Sequence, residues 1–332
     1  MVTPSKRKHD DVREGEPDAE APPTKSQQTY KKHDVHWLLD GSILLQIGKT
    51  RFKVHRSRLA SESVWFQTLF DQRAGCVVET PFQYQHEIDR VLETAETVDG
   101  MDLFYLDCDF DGGADDFAAL LTAMQMGIDY VFATPDLKTL GRIYGAADFF
   151  QVARYEKFAK KVLTTTFPDD WKKLRAKPSP LAANGVSMGD DFNVNVILRH
   201  SFYDLARSNF VEYPKEGDEP SGTYSDLVTL KPGQFIRLLN LQKHLMLSWD
   251  TIRSITEHLC GGEKCSKQHR CNYFKDAKAA HPFDPILGIG ALLARSTLMT
   301  STCDQAEKEV RRRLILERDL IWENMDEWLN ID

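Results

Sequence analysis

Residues 40–70 read DGSILLQIGKTRFKVHRSRLASESVWFQTLF, and this stretch decides how the N-terminal half of the chain is interpreted. Alternate apolar positions across 43–47 give a period of two, which is typical of a β-strand. Gly48-Lys49-Thr50 suits a tight turn, and the alternation resumes at Phe52 and Val54. The pattern therefore predicts a β-hairpin.

Two helices are predicted directly after the hairpin. Ser57 and Ser63 each precede a run of helix-forming residues, where a hydroxyl can accept a hydrogen bond from an unpaired amide of the first turn. Phe66, Leu69 and Phe70 then fall at i, i+3 and i+4, on one face of the second helix. The sequence thus predicts a strand that turns a corner into a pair of packed helices.

His55 and Arg56 stand at this corner, and their chemistry allows two interpretations. They are suited to hold an anion in an enzyme, or to bond carbonyl groups that the corner leaves free. No nucleophile or carboxylate has a sequence reason to lie beside them, so we favour the second role. We expect His55, Arg56 and Ser57 to define the corner.

The whole stretch resembles the start of a BTB (POZ) domain, and in particular the BTB proteins abundant in mushroom-forming fungi. The resemblance is carried by the order Asp40 … Ile43-x-Leu45-x-Ile47-x4-Phe52-x-Val54-His55-Arg56-x2-Leu59-Ala60-x2-Ser63-x2-Phe66-x2-Leu69-Phe70. It implies an α+β fold, in which a small sheet carries helical hairpins. Further blocks match that order: a third strand with Phe104, Leu106 and Cys108, a helix from Phe117 to Met124, and two more helices before Pro168.

The sequence departs from the family pattern at two places. In many animal BTB domains an aspartate faces the corner arginine and lines a pocket for corepressor peptides, but Ser42 stands here opposite Arg56. The resemblance therefore gives little support to corepressor binding. The link over residues 71–103 is also longer than usual, and apolar residues at helical spacing predict an added helix within it: Ile88, Val91, Leu92 and Ala95.

Composition divides the chain into four parts. Residues 1–34 are polar and proline-containing, and we expect them to be disordered because they offer too little apolar surface to bury. Residues 35–168 are assigned to the BTB-like domain. Proline, glycine and polar residues over 169–191 predict a linker, and residues 192–332 are predicted to form an all-α C-terminal domain.

The C-terminal part ends in a predicted long amphipathic helix over 303–332. Its apolar residues recur every three to four positions: Val310, Leu314, Ile321, Met325 and Trp328. Glu307 with Arg311 and Glu309 with Arg313 are spaced to form ion pairs on its surface. The end of this helix is also similar to the close of the same fungal proteins.

One cluster has the residue types of a metal site: Cys260, Cys265, His269 and Cys271. Its spacings differ from the paired C-x2-C of common zinc sites. Reduced, partly buried cysteines are the preferred interpretation, and no cofactor is predicted, with zinc as the alternative. An acidic run beginning at Asp107 does not fit a calcium loop, since the twelfth position is Ala118.

Overall composition limits the classes of function. The net charge is -8, and no basic surplus favours nucleic-acid binding. The sequence shows neither a secretory signal nor a run long enough for a membrane helix, so we expect a cytoplasmic or nuclear protein with reduced cysteines. Lys6-Arg7-Lys8 is a candidate nuclear import signal.

These features favour a non-enzymatic interaction module. Familiar catalytic and nucleotide-binding motifs are lacking in the sequence. The resemblance implies a homodimer, and we expect its interface to contain Leu38, Leu39, Leu44, Leu59, Trp65 and Leu69, because such residues are too apolar to leave in water. The resemblance also implies a protein partner, whose identity the sequence does not give, and a cullin of a ubiquitin ligase is one candidate. The alternatives are a nuclear transcription-associated regulator or scaffold and, less favoured, an enzyme or a zinc-binding protein.

Overall fold

The predicted β-hairpin lies at the centre of a five-stranded sheet. The computed structural model describes residues 30–76, 84–106, 112–127, 129–130, 135–192, 194–208, 230–257, 273–298 and 304–331. Strands β2 (Ile43–Ile47) and β3 (Thr50–Val54) pair in antiparallel fashion, with Leu45 opposite Phe52. Gly48 closes the turn with φ of 55°, a left-handed conformation that glycine adopts without strain. The hairpin prediction is confirmed.

Three further strands complete the sheet in the described part of the chain. β1 (Lys31–Trp37) runs parallel to β3, and β5 (Met101–Tyr105) runs parallel to β2. β4 (Glu96–Val98) pairs in antiparallel fashion with β5, so the order is β1-β3-β2-β5-β4. The predicted disorder is therefore wrong for residues 31–34. Their side chains are polar, but backbone pairing with β3 orders them as an edge strand.

Six helices surround this sheet within the described residues. They are α1 (Arg56–Glu62), α2 (Val64–Arg73), α3 (Gln85–Thr94), α4 (Ala114–Met126), α5 (Leu137–Phe149) and α6 (Ala153–Thr166). α3 is the added helix predicted from the long link, and it buries Ile88 and Val91. The core between sheet and helices is aromatic, with Phe66 in contact with Phe117 and stacked on Phe150.

The segment predicted as a linker contains a short 3-10 helix, Trp171–Lys173, and a regular helix α7 (Ala182–Asp191). The loop prediction for residues 182–191 is wrong. Proline, glycine and polar residues over 169–191 predict a loop, yet Gly185 and Gly189 face α8 (Asn195–Arg207), and the absence of a Cβ permits close helix packing. α7 buries its alanine and glycine face against that helix.

The rest of the described chain is helical, as predicted. It contains α9 (Pro232–Thr256), α10 (Phe274–Ala280), α11 (Pro285–Leu293), α12 (Asp304–Glu323) and α13 (Met325–Leu329). The predicted C-terminal helix is broken at Asn324 into α12 and α13. Four of its predicted apolar positions are buried, and both predicted ion pairs form at 2.8 Å. An α+β class, with an N-terminal sheet followed by many helices, is thus confirmed.

Two buried clusters fill the molecule, and they meet at α7 and α8. The first contains the core around the sheet and also Met188, Val194 and Ile197. The second lies among α8, α9, α11, α12 and α13, with Trp249 fully buried in it. Among the helices that the structure describes, none has both the length and the apolar character that crossing a bilayer requires.

Candidate functional site

The strand-to-helix corner is held together by Arg56. Its backbone amide donates to Ser42 Oγ at 3.0 Å, and its guanidinium Nη2 donates to the carbonyl oxygen of Phe70 at 2.8 Å. Nη1 lies 4.0 Å from a carboxylate oxygen of Asp102 on β5. Arg56 therefore links the start of β2, the end of α2 and β5, which agrees with the bracing role expected from the sequence.

The other two predicted corner residues behave differently. His55 is the N-cap of α1, and its Nε2 lies 3.4 Å from Asp40 Oδ1. The prediction that Ser57 caps this helix is wrong: the helix begins at Arg56, so Ser57 lies within the first turn and is exposed. Ser63 does cap α2, accepting from the Phe66 amide at 3.0 Å, and its hydroxyl also donates to the Phe150 carbonyl at 2.5 Å.

Most of the residues predicted for a dimer interface are buried inside the chain. Leu44, Leu59, Trp65 and Leu69 are each no more than 3% exposed, because β2, α1 and α2 pack them within the described molecule. A second chain is therefore not needed to remove these four side chains from water. Of the predicted set, only Leu39 is fully open to solvent, at 95% exposure.

Leu39 stands beside a cleft at the same corner. The cleft has a volume of about 180 Å³, and its lining includes His36, Leu38, His55, Leu59, Leu121 and Met124. His36 Nε2 lies 3.0 Å from Thr122 Oγ1 and 3.1 Å from the Ala118 carbonyl. Burial lowers the pKa of His36, so its ring is neutral at pH 7 and donates to these oxygens. We call this feature, together with Leu39, the corner cleft.

A second polar feature is a buried ionic network on α8. Arg207 donates from Nε and Nη2 to Asp204 Oδ1, at 2.9 and 2.6 Å, and from Nη1 to Asp284 Oδ2 at 3.1 Å. Tyr203 donates its hydroxyl to Asp284 Oδ1 at 2.6 Å. Burial, reinforced by the charge of Asp284, raises the pKa of Tyr203 well above its ordinary value, so the hydroxyl keeps its proton.

His200 and Asp204 form the inner end of this network, below an open cleft of about 430 Å³. His200 Nδ1 donates to the Pro168 carbonyl at 2.8 Å, and Nε2 lies 3.3 Å from Asp204 Oδ2. The same carboxylate oxygen accepts from the Ser179 amide at 2.8 Å. These polar atoms therefore join α8, the 168–179 segment and α11, which is a structural use of groups that otherwise suit acid–base chemistry.

The network was not predicted from the sequence, although one signal was present. His200, Asp204 and Arg207 are spaced by four and three residues, so they share one face of a helix whose neighbouring residues are apolar. Three ionisable residues on the buried face of a helix indicate a paired internal network.

Other predicted residues lie outside the part of the chain that the structure describes. The candidate metal ligands Cys260, Cys265, His269 and Cys271 fall in 258–272, and Lys6-Arg7-Lys8 falls in 1–29. The acidic run is described only from Asp115 onward. Asp115 and Asp116 occupy the first turn of α4, where acidic side chains are favoured by the helix dipole.

Comparison with known proteins gave no relative: no family model, no curated protein and no solved structure matches this chain.

Proposed function

We propose that this chain is a non-enzymatic protein-interaction module that homodimerises, and that its BTB-like N-terminal half recruits a partner protein. The element order supports the proposal: hairpin, two helices, a third core strand parallel to β2, one helix, then a helix pair. That is the order of blocks implied by the resemblance of residues 40–167. The added strand β1 and the added helix α3 leave this order unchanged.

The corner cleft is the observation that carries partner recruitment. Leu39 protrudes fully into solvent, and its chain neighbour Leu38 lines a concave surface whose walls are partly apolar and partly polar, the polar part including Arg58. Burying a leucine side chain at an interface contributes about 1.5–3 kcal/mol before the cost of association. A protruding leucine beside a cleft of side-chain size therefore fits a protein partner that receives Leu39 and places an apolar side chain in the cleft.

The partner that we propose is a cullin, for which the chain acts as an adaptor of a ubiquitin ligase. The test is affinity purification of the tagged full chain from its native cell, with mass spectrometry of what is retained. Recovery of a cullin supports the adaptor function, whereas reproducible absence of every cullin overturns it.

A matched pair of variants tests the corner cleft separately. Leu39→Glu is expected to reduce partner recovery at least about tenfold, since a charge replaces a buried contact. Leu316→Glu places the same charge on an exposed residue of α12, far along the chain, and is expected to retain the partner. Equal recovery with both variants contradicts the assignment of the corner cleft.

A nuclear regulator or scaffold is the second candidate function, and Lys6-Arg7-Lys8 is the observation that favours it. Replacing these three residues with alanine is expected to move a fluorescently tagged chain out of the nucleus. Unchanged localisation counts against this candidate and leaves the adaptor proposal unaffected.

A further inference from the structure

The long helix α9 has two apolar faces. Its inner face packs on α8, α11, α12 and α13 through Leu238, Leu241, Leu245, Trp249 and Ile252. On its outer face five large apolar side chains are between 42% and 66% exposed: Phe235, Ile236, Leu239, Met246 and Leu247. We call these five residues the α9 stripe.

The α9 stripe lies on one side of the helix, and Lys243 stands on the same side between Leu239 and Met246. At 100° per residue its members fall within an arc of about 120°, and from Phe235 to Leu247 they extend over about 18 Å. Single exposed apolar residues are ordinary on a protein surface, but a row of five large ones marks a contact with another protein.

The large apolar residues at the two ends of the α9 stripe are placed symmetrically about position 241. Counting outward from position 241, apolar residues occur five and six positions away on each side, and Leu239 mirrors Lys243. A two-fold interface brings each residue of one copy beside the mirror position of the other. We propose that two copies of this chain pair through the α9 stripe, helix against antiparallel helix. The inference rests on the homodimer proposed above and assigns its surface.

This pairing gives a consistent set of contacts. At each end, Phe235 and Ile236 of one copy cluster with Met246 and Leu247 of the other. In the middle, Leu239 lies beside Lys243 of the second copy, whose methylene groups cover it while the ammonium group reaches water. The two lysines do not face each other, because position 239 mirrors position 243.

The size of the surface also suits a second copy. Specific, stable interfaces bury about 1,200–2,000 Å² in total, and about 1,000 Å² is the lower bound for a biological interface. Five large half-exposed side chains from each chain, with the residues between them, provide a surface of that order. In the part of the chain that the structure describes, no other helix carries so many exposed large apolar residues.

The first experiment measures the mass of the full chain in solution. Light scattering coupled to size-exclusion chromatography is expected to give a dimer at micromolar concentration. Ile236→Glu and Leu247→Glu each place a carboxylate in an end cluster and are expected to give a monomer. Val64→Glu, at an exposed apolar residue of α2 beside the sheet, is the matched control and is expected to remain a dimer. Far-UV circular dichroism checks that each variant keeps its helices.

The second experiment tests the antiparallel register. Chains with Leu239→Cys and chains with Lys243→Cys carry different tags and are mixed and oxidised. The mirror relation predicts a disulfide between the two tagged chains, since facing Cα atoms of packed helices lie within disulfide reach. Lys243→Cys mixed with Ser254→Cys is the control pair, and it is expected to give no such product.

The results separate this inference from the proposed function. A wild-type chain that is monomeric overturns the homodimer and the α9 pairing together. A wild-type dimer that survives both glutamate variants and yields no disulfide overturns only the α9 pairing. Neither the light-scattering nor the disulfide experiment contains a cullin. A failure to recover a cullin by affinity purification therefore does not bear on the α9 pairing.

Discussion

Arg207 shows how single charged residues shape this molecule. It lies between Asp204 and Asp284 with its side chain only 1% exposed, so its charge is neutralised inside the protein rather than by water. A buried pair of this kind contributes little net stability when complete, but losing one partner costs several kcal/mol because an unpaired charge remains. The network therefore fixes how α8 and α11 pack more than it strengthens the fold.

The acid stability of the chain depends in part on Asp204. Burial alone raises the pKa of this carboxyl, but hydrogen bonding to His200 and the charge of Arg207 hold it below its usual range. The folded pKa is thus lower than the unfolded value of about 3.9. Asp204 contributes stability that is present above the unfolded value and is lost as the pH falls through the folded value.

We expect wild type and Asp204→Asn to differ most in stability near pH 7 and to converge as the pH falls below about 4. Urea unfolding at a series of pH values measures this difference directly. Asp136 and Glu309, whose pKa values are also lowered, are present in both proteins and cancel in the comparison. A difference that stays constant from pH 7 to pH 3 contradicts the assigned role.

At the scale of elements, hydrophobic periodicity correctly predicted the strands and helices whose apolar residues recur at regular spacing. The alternation over 43–54 gave the hairpin, and the three-to-four spacing gave α3, α4 and most of α12. Helix α7 is not predicted because its composition is that of a loop, while its stability comes from close packing on α8 and Phe167, which the pattern within residues 182–191 does not contain. Likewise, apolar content did not distinguish Leu59, buried in the chain, from Leu39, open to solvent.

The glycines of α7 give a test of this packing. A Cβ at position 185 meets Ser201 Oγ and lies 2.8 Å from Cζ of Phe167, so Gly185→Ala is expected to lower the free energy of unfolding by about 1–3 kcal/mol. Gly290 lies inside α11 with open space around it, and Gly290→Ala is expected to raise that free energy by about 0.5–1 kcal/mol. Urea unfolding measures both changes. Equal effects of the two variants show that close packing at α7 is not the cause.

At the scale of the whole molecule, the N-terminal and C-terminal halves are joined by side-chain contacts as well as by the covalent backbone. Trp171 Nε1 donates to Asp319 on α12 at 2.9 Å, and the guanidinium of Arg318 lies 3.8 Å from the centre of the Trp171 ring. Arg199 pairs with Asp169 on one side and with Asp326 on the other. The segment that follows α6 is therefore bound to the C-terminal helices. The prediction of a linker over residues 169–191 does not include these contacts.

This joining predicts that the N-terminal half depends on the C-terminal half. A fragment of residues 1–168 lacks Met188, Val194 and Ile197, which complete the cluster around the sheet, so apolar surface of α5 and α6 becomes exposed. We expect the fragment to bind a hydrophobic dye and to melt at a lower temperature than the same half within the full chain, because each buried aliphatic side chain lost removes about 1.5–3 kcal/mol. Dye fluorescence and near-UV circular dichroism on heating, with the full chain as reference, measure both effects. A fragment that melts cooperatively at the temperature of the full chain, without dye binding, shows instead that the sheet and its six helices form a self-sufficient core.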